Sequence, residues 1–204
     1  GISIVKLVGR DGNVLVVKAD SPFKSADDII AEARKRPKEL IQGGGSFTSA
    51  ANLMGRSIQK MKGVQWNFIS FAGVEPEALL NVMNGNVHFA FLPPSIVLDY
   101  ARQGKVRVLM TAAPKRFPAF KDVPTMQEVG LGEPFVSYRG IVGPPNMPAY
   151  AAKKIEEAFG KVIETPRFKK YMDEMMMMPW WLPAAEYSKL LDRGNDQWIE
   201  LLKI

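Results

Sequence analysis

The chain has 204 residues, and a composition of 47% hydrophobic and 24% charged residues is sufficient to bury a core, which argues against disorder. It contains no cysteine, so disulfides, thiolate metal sites and cysteine nucleophiles are excluded. The formal net charge of +6 is not concentrated in a basic stripe interleaved with aromatic residues, and we therefore expect no nucleic-acid partner.

The first part of the chain alternates between strand and helix patterns. A run of aliphatic residues predicts a buried strand at 13–18, and Ser25 followed by Asp27 and Asp28 is typical of a helix start. The same patterns predict further strands at 39–43, 64–71, 88–92 and 106–111, and further helices at 50–62, 75–83 and 95–102. Strands separated by helices indicate βαβ units, and therefore an α/β fold with a mostly parallel sheet.

The pattern changes after Pro124. We predict a short helix at 125–129, a strand at 135–143 and three helices, at 148–163, 167–176 and 184–202. The methionine- and tryptophan-rich run at 175–182 is interrupted by proline and is shorter than the ~20 residues of a membrane-spanning helix, so we interpret it as a surface that packs against a lobe. Residues 8–130 are thus predicted to form one α/β lobe, and the remainder must pack on something else.

The segment 43–49 lies between a predicted strand and the start of a predicted helix, and it begins with three glycines. Glycine lets the backbone approach a ligand, and free amides at a helix N-terminus attract an anion such as a carboxylate or a phosphate. The segment lacks the lysine of a phosphate-binding loop and the glycine spacing of a dinucleotide site. A plain turn in which Thr48 or Ser49 caps the helix explains the segment equally well.

Three further segments are candidates for a ligand site. Phe71 lies at the carboxyl end of a predicted strand, where it either lines a pocket or belongs to the core before a plain turn. Pro94 and Ser95 follow another strand, and Ser95 is a candidate helix cap. Arg139 either binds a carboxylate through two N–H groups or forms a surface salt bridge, which is the commoner outcome for a single arginine.

The sequence offers little for catalysis. His88 is the only histidine, which excludes a metal site with two histidine ligands, and its alternating strand pattern favours a partly buried side chain. Paired carboxylates at 27–28, 156–157 and 173–174 fall within helical patterns, where solvent-exposed faces explain them. We therefore predict no catalytic residues, no metal ligands and no cofactor.

Short motifs along nearly the whole chain follow the order of a known family. They are Gly44-Gly45-Ser46 with Ala50-Ala51-Asn52-Leu53, Ile69-Ser70-Phe71-Ala72-Gly73, Gly85-Asn86-Val87-His88, the segment 103–109, Lys115-Arg116, Pro124-Thr125 with Glu128 and Gly130, and Gly140-Ile141-Val142-Gly143-Pro144. In this order they resemble the tripartite tricarboxylate transporter substrate-binding family, the Bug proteins. The Pro-Thr-x-x-Glu-x-Gly element at 124–130 is the most specific of these motifs.

This resemblance implies a periplasmic receptor with a type II periplasmic-binding-protein-like fold, in which two lobes close on a ligand like a Venus flytrap. It also implies capture of a small organic carboxylate, either a di- or tricarboxylate or an aromatic carboxylate, and its delivery to the membrane permease subunits of the transporter. The ligand-binding residues predicted on this basis are Gly44, Gly45, Ser46, Thr48, Ser49, Phe71, Ala72, Gly73, Pro94 and Arg139.

Two departures from the family pattern modify these expectations. The family has proline, tyrosine and a basic residue where this chain has Ser70, Phe71 and Ala72, which implies a less polar ligand, aromatic or with a longer chain. Family members also carry about a hundred residues before the segment that matches 4–18 here, an amount comparable to a small domain. We therefore expect residues 8–130 to form a complete middle lobe and residues 131–204 only the C-terminal portion of the other lobe, with residues 1–7 on the hinge side.

Two other classes of function are considered from the sequence. A small α/β hydrolase or transferase acting on an anionic substrate would use the glycine segment in the same way, but it needs a nucleophile paired with a base, which the sequence does not offer. A regulatory sensing domain needs an attached DNA-binding or signalling segment, and none is visible in the sequence. Capture and delivery of a carboxylate is therefore the leading prediction.

Overall fold

The computed structural model describes residues 3–72 and 74–202. The chain forms two compact units, which we call the central unit (residues 12–136) and the terminal unit (residues 1–11 and 137–204). Their boundaries lie close to the predicted ones at residues 8 and 130. The assignment of the units to two lobes of one receptor stays a prediction.

The central unit contains a five-stranded sheet in the order β4-β3-β5-β2-β6. Strand β3 pairs in parallel with β4 and β5, whereas β2 runs antiparallel to both β5 and β6. All strands except β2 therefore point in the same direction, which confirms the prediction of an α/β fold with a mostly parallel sheet. The five strands are β2 (Val14–Lys18), β3 (Ile41–Gly44), β4 (Asn67–Ser70), β5 (Phe89–Leu92) and β6 (Val106–Thr111).

Four helices connect and cover these strands: α1 (Ala26–Lys35), α2 (Ala50–Lys62), α3 (Glu75–Asn84) and α4 (Pro94–Arg102). Helix α1 begins as predicted, because the Asp28 N–H donates to Ser25 Oγ at 3.2 Å and the Ser25 N–H donates to Asp28 Oδ2 at 2.9 Å. Helices α2 and α3 end at Gly63 and Gly85, which adopt the left-handed conformation that glycine tolerates best.

Aromatic rings form the centre of the core of the central unit. Trp66 and Phe91 both pack edge-on against Phe89, with ring centroids 5.3 and 6.0 Å from that of Phe89. The fully buried amide of Gln42 lies among them and is satisfied, because it accepts the Trp66 indole N–H at 2.8 Å and donates to Ala51 O at 3.1 Å. The sheet and its covering helices are therefore joined by both packing and a buried polar contact.

The terminal unit contains a three-stranded sheet in the order β7-β1-β8, in which β1 runs antiparallel to β8. Its strands are β1 (Ser3–Gly12), β7 (Val136–Gly143) and β8 (Met178–Pro183), and its helices are α5 (Ala149–Ile163), α6 (Pro166–Glu174) and α7 (Ala184–Leu202). Met172 and Tyr187 are buried. Within the described residues of both units, no helix combines the length and the apolar character that crossing a membrane requires.

The predicted helix at 125–129 is wrong, because these residues form hydrogen-bonded turns. The Thr125 N–H donates to Glu128 Oε2 at 2.6 Å, and the Glu128 N–H donates to Thr125 Oγ1 at 3.2 Å, as at the start of a helix. Gly130 then takes a φ of 66°, which reverses the chain after a single turn. The most specific motif of the sequence is thus a capped turn.

Two strands of the terminal unit, β1 and β8, are absent from the sequence-based prediction. Strand β8 lies within the methionine- and tryptophan-rich run, and its Pro179 and Pro183 lack the N–H groups of a regular strand. It forms only through its antiparallel register with β1, in which Pro183 lies opposite Lys6. Part of the run interpreted as lobe-packing surface is therefore a strand of the terminal unit's own sheet.

Candidate ligand-binding site

The carboxyl ends of β3, β4 and β5 meet at one edge of the central sheet, because these three strands are neighbours and run parallel. The residues that follow them, which we call the edge loops, are 45–49, 71–72 and 93. The structure thereby brings together most of the predicted ligand-binding residues, namely Gly44, Gly45, Ser46, Thr48, Ser49, Phe71, Ala72 and Pro94. Gly73, also predicted, lies outside the described residues.

Direct hydrogen bonds join the first two edge loops. The Ser70 hydroxyl donates to Gly45 O at 2.8 Å, and the Phe71 N–H donates to Gly44 O at 2.9 Å. Gly44 and Ser70 are also opposite each other in the parallel register of β3 and β4. The glycine segment is therefore fixed by its neighbour rather than free to move independently.

The glycines at the end of β3 are closely packed. A Cβ on Gly44 would lie 2.7 Å from Cε2 of Phe68, and one on Gly43 would lie 3.0 Å from Cγ2 of Val87 and 3.3 Å from Cε2 of Phe71. Both positions are buried strand residues that the two aromatic rings cover. Close approach of a ligand is thus not the reason for glycine at these two positions, although the sequence interpretation invoked it.

The next residues leave backbone donors available to a ligand. Within the part of the chain that the structure describes, the N–H groups of Ser46, Phe47 and Thr48 have no hydrogen-bond acceptor. The loop that carries them is braced, since Asn52 Nδ2 donates to Phe47 O at 2.7 Å and the Ser49 hydroxyl donates to Ser46 O at 2.7 Å. Free N–H groups in a fixed loop can donate hydrogen bonds to the oxygens of an anion without reorganisation.

Of the two caps predicted for α2, Thr48 and Ser49, the structure shows Ser49 as the N-cap. Its hydroxyl oxygen accepts the Asn52 N–H at 3.3 Å, while its proton is engaged by Ser46 O. Ser95 is not a cap, contrary to the sequence interpretation, because α4 begins one residue earlier at Pro94 and makes no side-chain capping bond. Pro94 itself is buried and has no N–H to offer a ligand.

Three helices, α2, α3 and α4, begin at this edge and direct the positive ends of their dipoles toward it. The first turns of α2 and α4 contain no acidic residue. In contrast, the first turn of α3 contains Glu75 and Glu77, which partly neutralise its dipole. The edge therefore attracts an anion most strongly near the loop that precedes α2.

Phe47 belongs to this site but was not among the predicted ligand-binding residues. Its side chain is 57% exposed, in a loop whose backbone is braced. An aromatic residue in a loop, between small residues and a helix cap, is the sequence signal that would have indicated it, because it does not belong to the periodic apolar face of a strand or helix.

Arg139 lies on β7 of the terminal unit, where it forms a salt bridge. Its Nε and Nη2 atoms both donate to Asp11 Oδ2, at 3.1 and 2.6 Å. A surface salt bridge is one of the two outcomes that the sequence predicts for Arg139, and carboxylate binding is the other. Its guanidinium is thus already paired with a carboxylate of its own unit, and its role in binding a ligand stays a prediction.

His88 precedes β5 at its amino end, and so lies at the opposite edge of the central sheet from the edge loops. Its Nδ1 atom accepts the Ile41 N–H at 3.0 Å, which ties the starts of β3 and β5 together. Partial burial of the ring and the nearby Arg36 lower the pKa of the imidazole, which favours its neutral form. This explains His88 as a structural hydrogen-bond acceptor.

A cavity of about 610 Å³ is lined by His88 among other residues and contains none of the edge-loop residues. Several of its charged side chains pair with one another, including Lys18 with Asp20 at 2.9 Å and Arg36 with Glu32. No group of histidine, aspartate and glutamate residues that could hold a metal ion occurs among the described residues. The cavity therefore offers a mixed-charge surface and not an evident anion site.

The family described as "Tripartite tricarboxylate transporter family receptor" matches residues 2–204. The chain belongs to this family. The UPF0065 protein in the gbd 5' region of Cupriavidus necator is 30% identical to it over 91% of this chain and 56% of its own length. Protein BugT of Bordetella pertussis is 31% identical over 63% of this chain and 39% of its own length. The chain thus spans about half the length of these members of the tricarboxylate receptor family.

Several solved structures have the same fold as this chain. A TctC solute-binding protein from Polaromonas superposes with a TM-score of 0.83 at 21% identity, over 99% of this chain and 69% of that one. An R. palustris protein solved with adipate gives a TM-score of 0.84 at 22% identity, over 99% and 68%. MatC from Rhodopseudomonas palustris, with bound malate, gives 0.81 at 20%, over 98% and 69%. The fold expected from the sequence resemblance is confirmed.

Proposed function

We propose that this chain is the ligand-binding part of a periplasmic receptor that captures a small organic carboxylate. In this proposal the receptor delivers the acid to the membrane permease subunits of a tripartite tricarboxylate transporter and does not transform it. Membership in the receptor family supports the proposal. So do two proteins with the same fold, one solved with adipate and the other with bound malate.

The observation that carries the proposal concerns the N–H groups of Ser46, Phe47 and Thr48 before α2, which have no acceptor among the residues that the structure describes. A carboxylate bound there accepts hydrogen bonds from backbone donors that are held in place before binding, and it lies at the positive end of a helix dipole. Binding of this kind requires no basic side chain, which agrees with the sequence of the edge loops, where none occurs.

Native mass spectrometry of the purified protein first identifies any retained ligand. Isothermal titration calorimetry then measures the binding of adipate, malate, citrate, and aliphatic and aromatic monocarboxylates. We expect the Ser46→Asp variant to lose affinity about tenfold or more, because it places a negative charge beside the bound carboxylate. The variant Ser46→Asn has nearly the same size without the charge and should keep the wild-type affinity. Equal affinities of the two variants would show that the anion binds elsewhere.

Binding without turnover distinguishes this proposal from an α/β enzyme that uses the same loop. Proton NMR of the bound acid over several hours should show no new product. The variant His88→Asn keeps an acceptor for the Ile41 N–H and removes the only imidazole, so it should bind the acid as the wild type does. Product that forms with the wild type and disappears with this variant would replace the receptor proposal with the enzyme one.

A further inference from the structure

An exposed aromatic side chain lies at the edge where the carboxylate is proposed to bind. Phe47 is 57% exposed, although its ring packs edge-on against Phe68 with centroids 5.3 Å apart. Its backbone carbonyl accepts the Asn52 side-chain N–H at 2.7 Å, so the residue is held in position. A fixed and exposed ring beside free amides provides apolar surface to whatever those amides bind.

The loop after β4 extends this apolar surface. Phe71 is half-buried, and its N–H is fixed to Gly44 O at 2.9 Å. The next residue, Ala72, is exposed and has a φ of 48°, an unusual conformation for a residue with a Cβ. Val74, which precedes α3, is 46% exposed. The side chains of these residues have no charged or polar group, so these side chains offer a ligand only apolar contacts.

The charges at this edge oppose a second carboxylate. The segments 45–49, 71–74 and 93–95 contain no lysine, arginine or histidine. The nearest charged side chains in the sequence, Glu75 and Glu77, are exposed in the first turn of α3 and are negative. A ligand whose first carboxylate binds the amides before α2 would bring a second one toward apolar rings and like charge.

We infer that this edge selects organic acids with a single carboxylate on an apolar body, and that Phe47 and Phe71 are its specificity-determining residues. The carboxylate accepts the N–H groups of residues 46–48, and the hydrocarbon part lies against the two rings. Glu75 and Glu77 discriminate against di- and tricarboxylates. This inference rests on the proposed function, because it concerns the ligand of the same site.

Hexanoate and adipate test the inference directly, since the two acids have the same six-carbon chain and differ in the second carboxylate. Isothermal titration calorimetry with the whole chain at low ionic strength should give an affinity for hexanoate about tenfold higher than for adipate, and higher still relative to citrate. Phenylacetate, an aromatic monocarboxylate, should bind at least as well as hexanoate. The opposite order, with adipate or citrate tighter than hexanoate, would overturn the inference.

Variants separate the two parts of the inference. The double variant Glu75→Gln with Glu77→Gln should raise the affinity for adipate several-fold more than that for hexanoate, because adipate carries a second carboxylate that the two removed charges repel. Phe47→Ala should lower the affinity for hexanoate about five- to tenfold through lost apolar contact. Met61→Ala, at an exposed methionine near the other end of α2, is the matched control and should not change it.

The binding measurements distinguish failure of the specificity inference from failure of the proposed function. If no mono-, di- or tricarboxylate binds the chain, the proposed function fails. If carboxylates bind but Phe47→Ala leaves the affinity for hexanoate unchanged and the double glutamine variant leaves the hexanoate-to-adipate ratio unchanged, the receptor proposal stands and the assignment of these specificity residues is wrong.

Discussion

Gln42 is a buried polar residue whose loss should be costly. Its amide accepts the Trp66 indole N–H at 2.8 Å and donates to Ala51 O at 3.1 Å, with no exposure to solvent. Gln42→Leu should lower the free energy of unfolding by about 1–3 kcal/mol, because it leaves the buried indole N–H without an acceptor. Urea denaturation measures this. Gln65→Leu, the same change at an exposed position, should alter stability by less than about 0.5 kcal/mol.

Glu128 gives the capped turn a stability that depends on pH. The hydrogen bond from Arg116 and the N–H of Thr125 lower the pKa of this carboxyl from 4.5 to about 2. Because the folded-state pKa is below the unfolded one, the ionised carboxylate contributes stability above pH 4.5, and this contribution is lost as the pH falls through about 2. The pair is exposed, so its contribution is screened by solvent.

The lowered pKa of Glu128 in the folded state determines the expected result for Glu128→Gln. The variant should be less stable than the wild type above pH 4.5, and the difference should shrink as the pH falls toward about 2. Urea denaturation over that range measures the difference. Gln127→Ala, at the exposed neighbouring residue, keeps the pair with Arg116 and should follow the wild-type profile. A difference for Glu128→Gln that does not change with pH would mean that the neutral hydrogen bonds, and not the charge, stabilise the turn.

The sequence predicts the positions of candidate-site residues where the order of strands and helices along the chain determines them. Successive strand and helix patterns place the segments after β3, β4 and β5 at one edge, so the meeting of Gly45 with Phe71 follows from the sequence. The packing role of Gly44 does not, because its reason is the ring of Phe68 on the neighbouring strand. The exposure of Phe47 likewise depends on which side chains cover the loop. Sequence periodicity does not predict this coverage.

At the level of elements, predictions succeeded where a single segment contains its own signals. Helix α1 has its cap and acidic first turn in the sequence, and β6 was predicted with the bounds that it has in the structure. Strand β8 was missed because proline obscures its pattern and because its register comes from β1, which is distant in sequence. The turn at 125–129 was predicted as a helix because a capping box alone does not show where a helix stops.

Gly12, the first residue of the central unit, lies so close to the backbone of Ala113 in the same unit that glycine is required. A Cβ on Gly12 would lie 2.5 Å from Ala113 N and 2.7 Å from its Cα, and backbone atoms cannot rotate away as a side chain does. Gly12→Ala should therefore lower the free energy of unfolding by about 1–3 kcal/mol. Gly160→Ala, within α5 and with no atom within 4 Å of the new Cβ, should raise it by about 0.5–1 kcal/mol. Urea denaturation of both variants tests whether steric space decides the sign.

The two units bury their apolar side chains to very different extents. The central unit has a continuous core that includes Leu40, Met54 and Phe89, each at most 1% exposed. In the terminal unit, the 15-residue helix α5 contains no buried residue although it is amphipathic in sequence. Val162 on this helix is 45% exposed, and Tyr150 at its start is 70% exposed. The terminal unit thus exposes apolar side chains to water.

We predict that this surface makes the chain self-associate as its concentration rises, since apolar side chains gain free energy when removed from water. Sedimentation velocity at several concentrations should show a rising weight-average sedimentation coefficient. Val162→Lys places a charge on the apolar face of α5 and should reduce the association. Glu157→Gln, at an exposed position of the same helix, changes the net charge by the same amount and should leave the association unchanged. A wild-type chain that stays monomeric at all concentrations would contradict the prediction, and an equal effect of both variants would attribute the association to net charge.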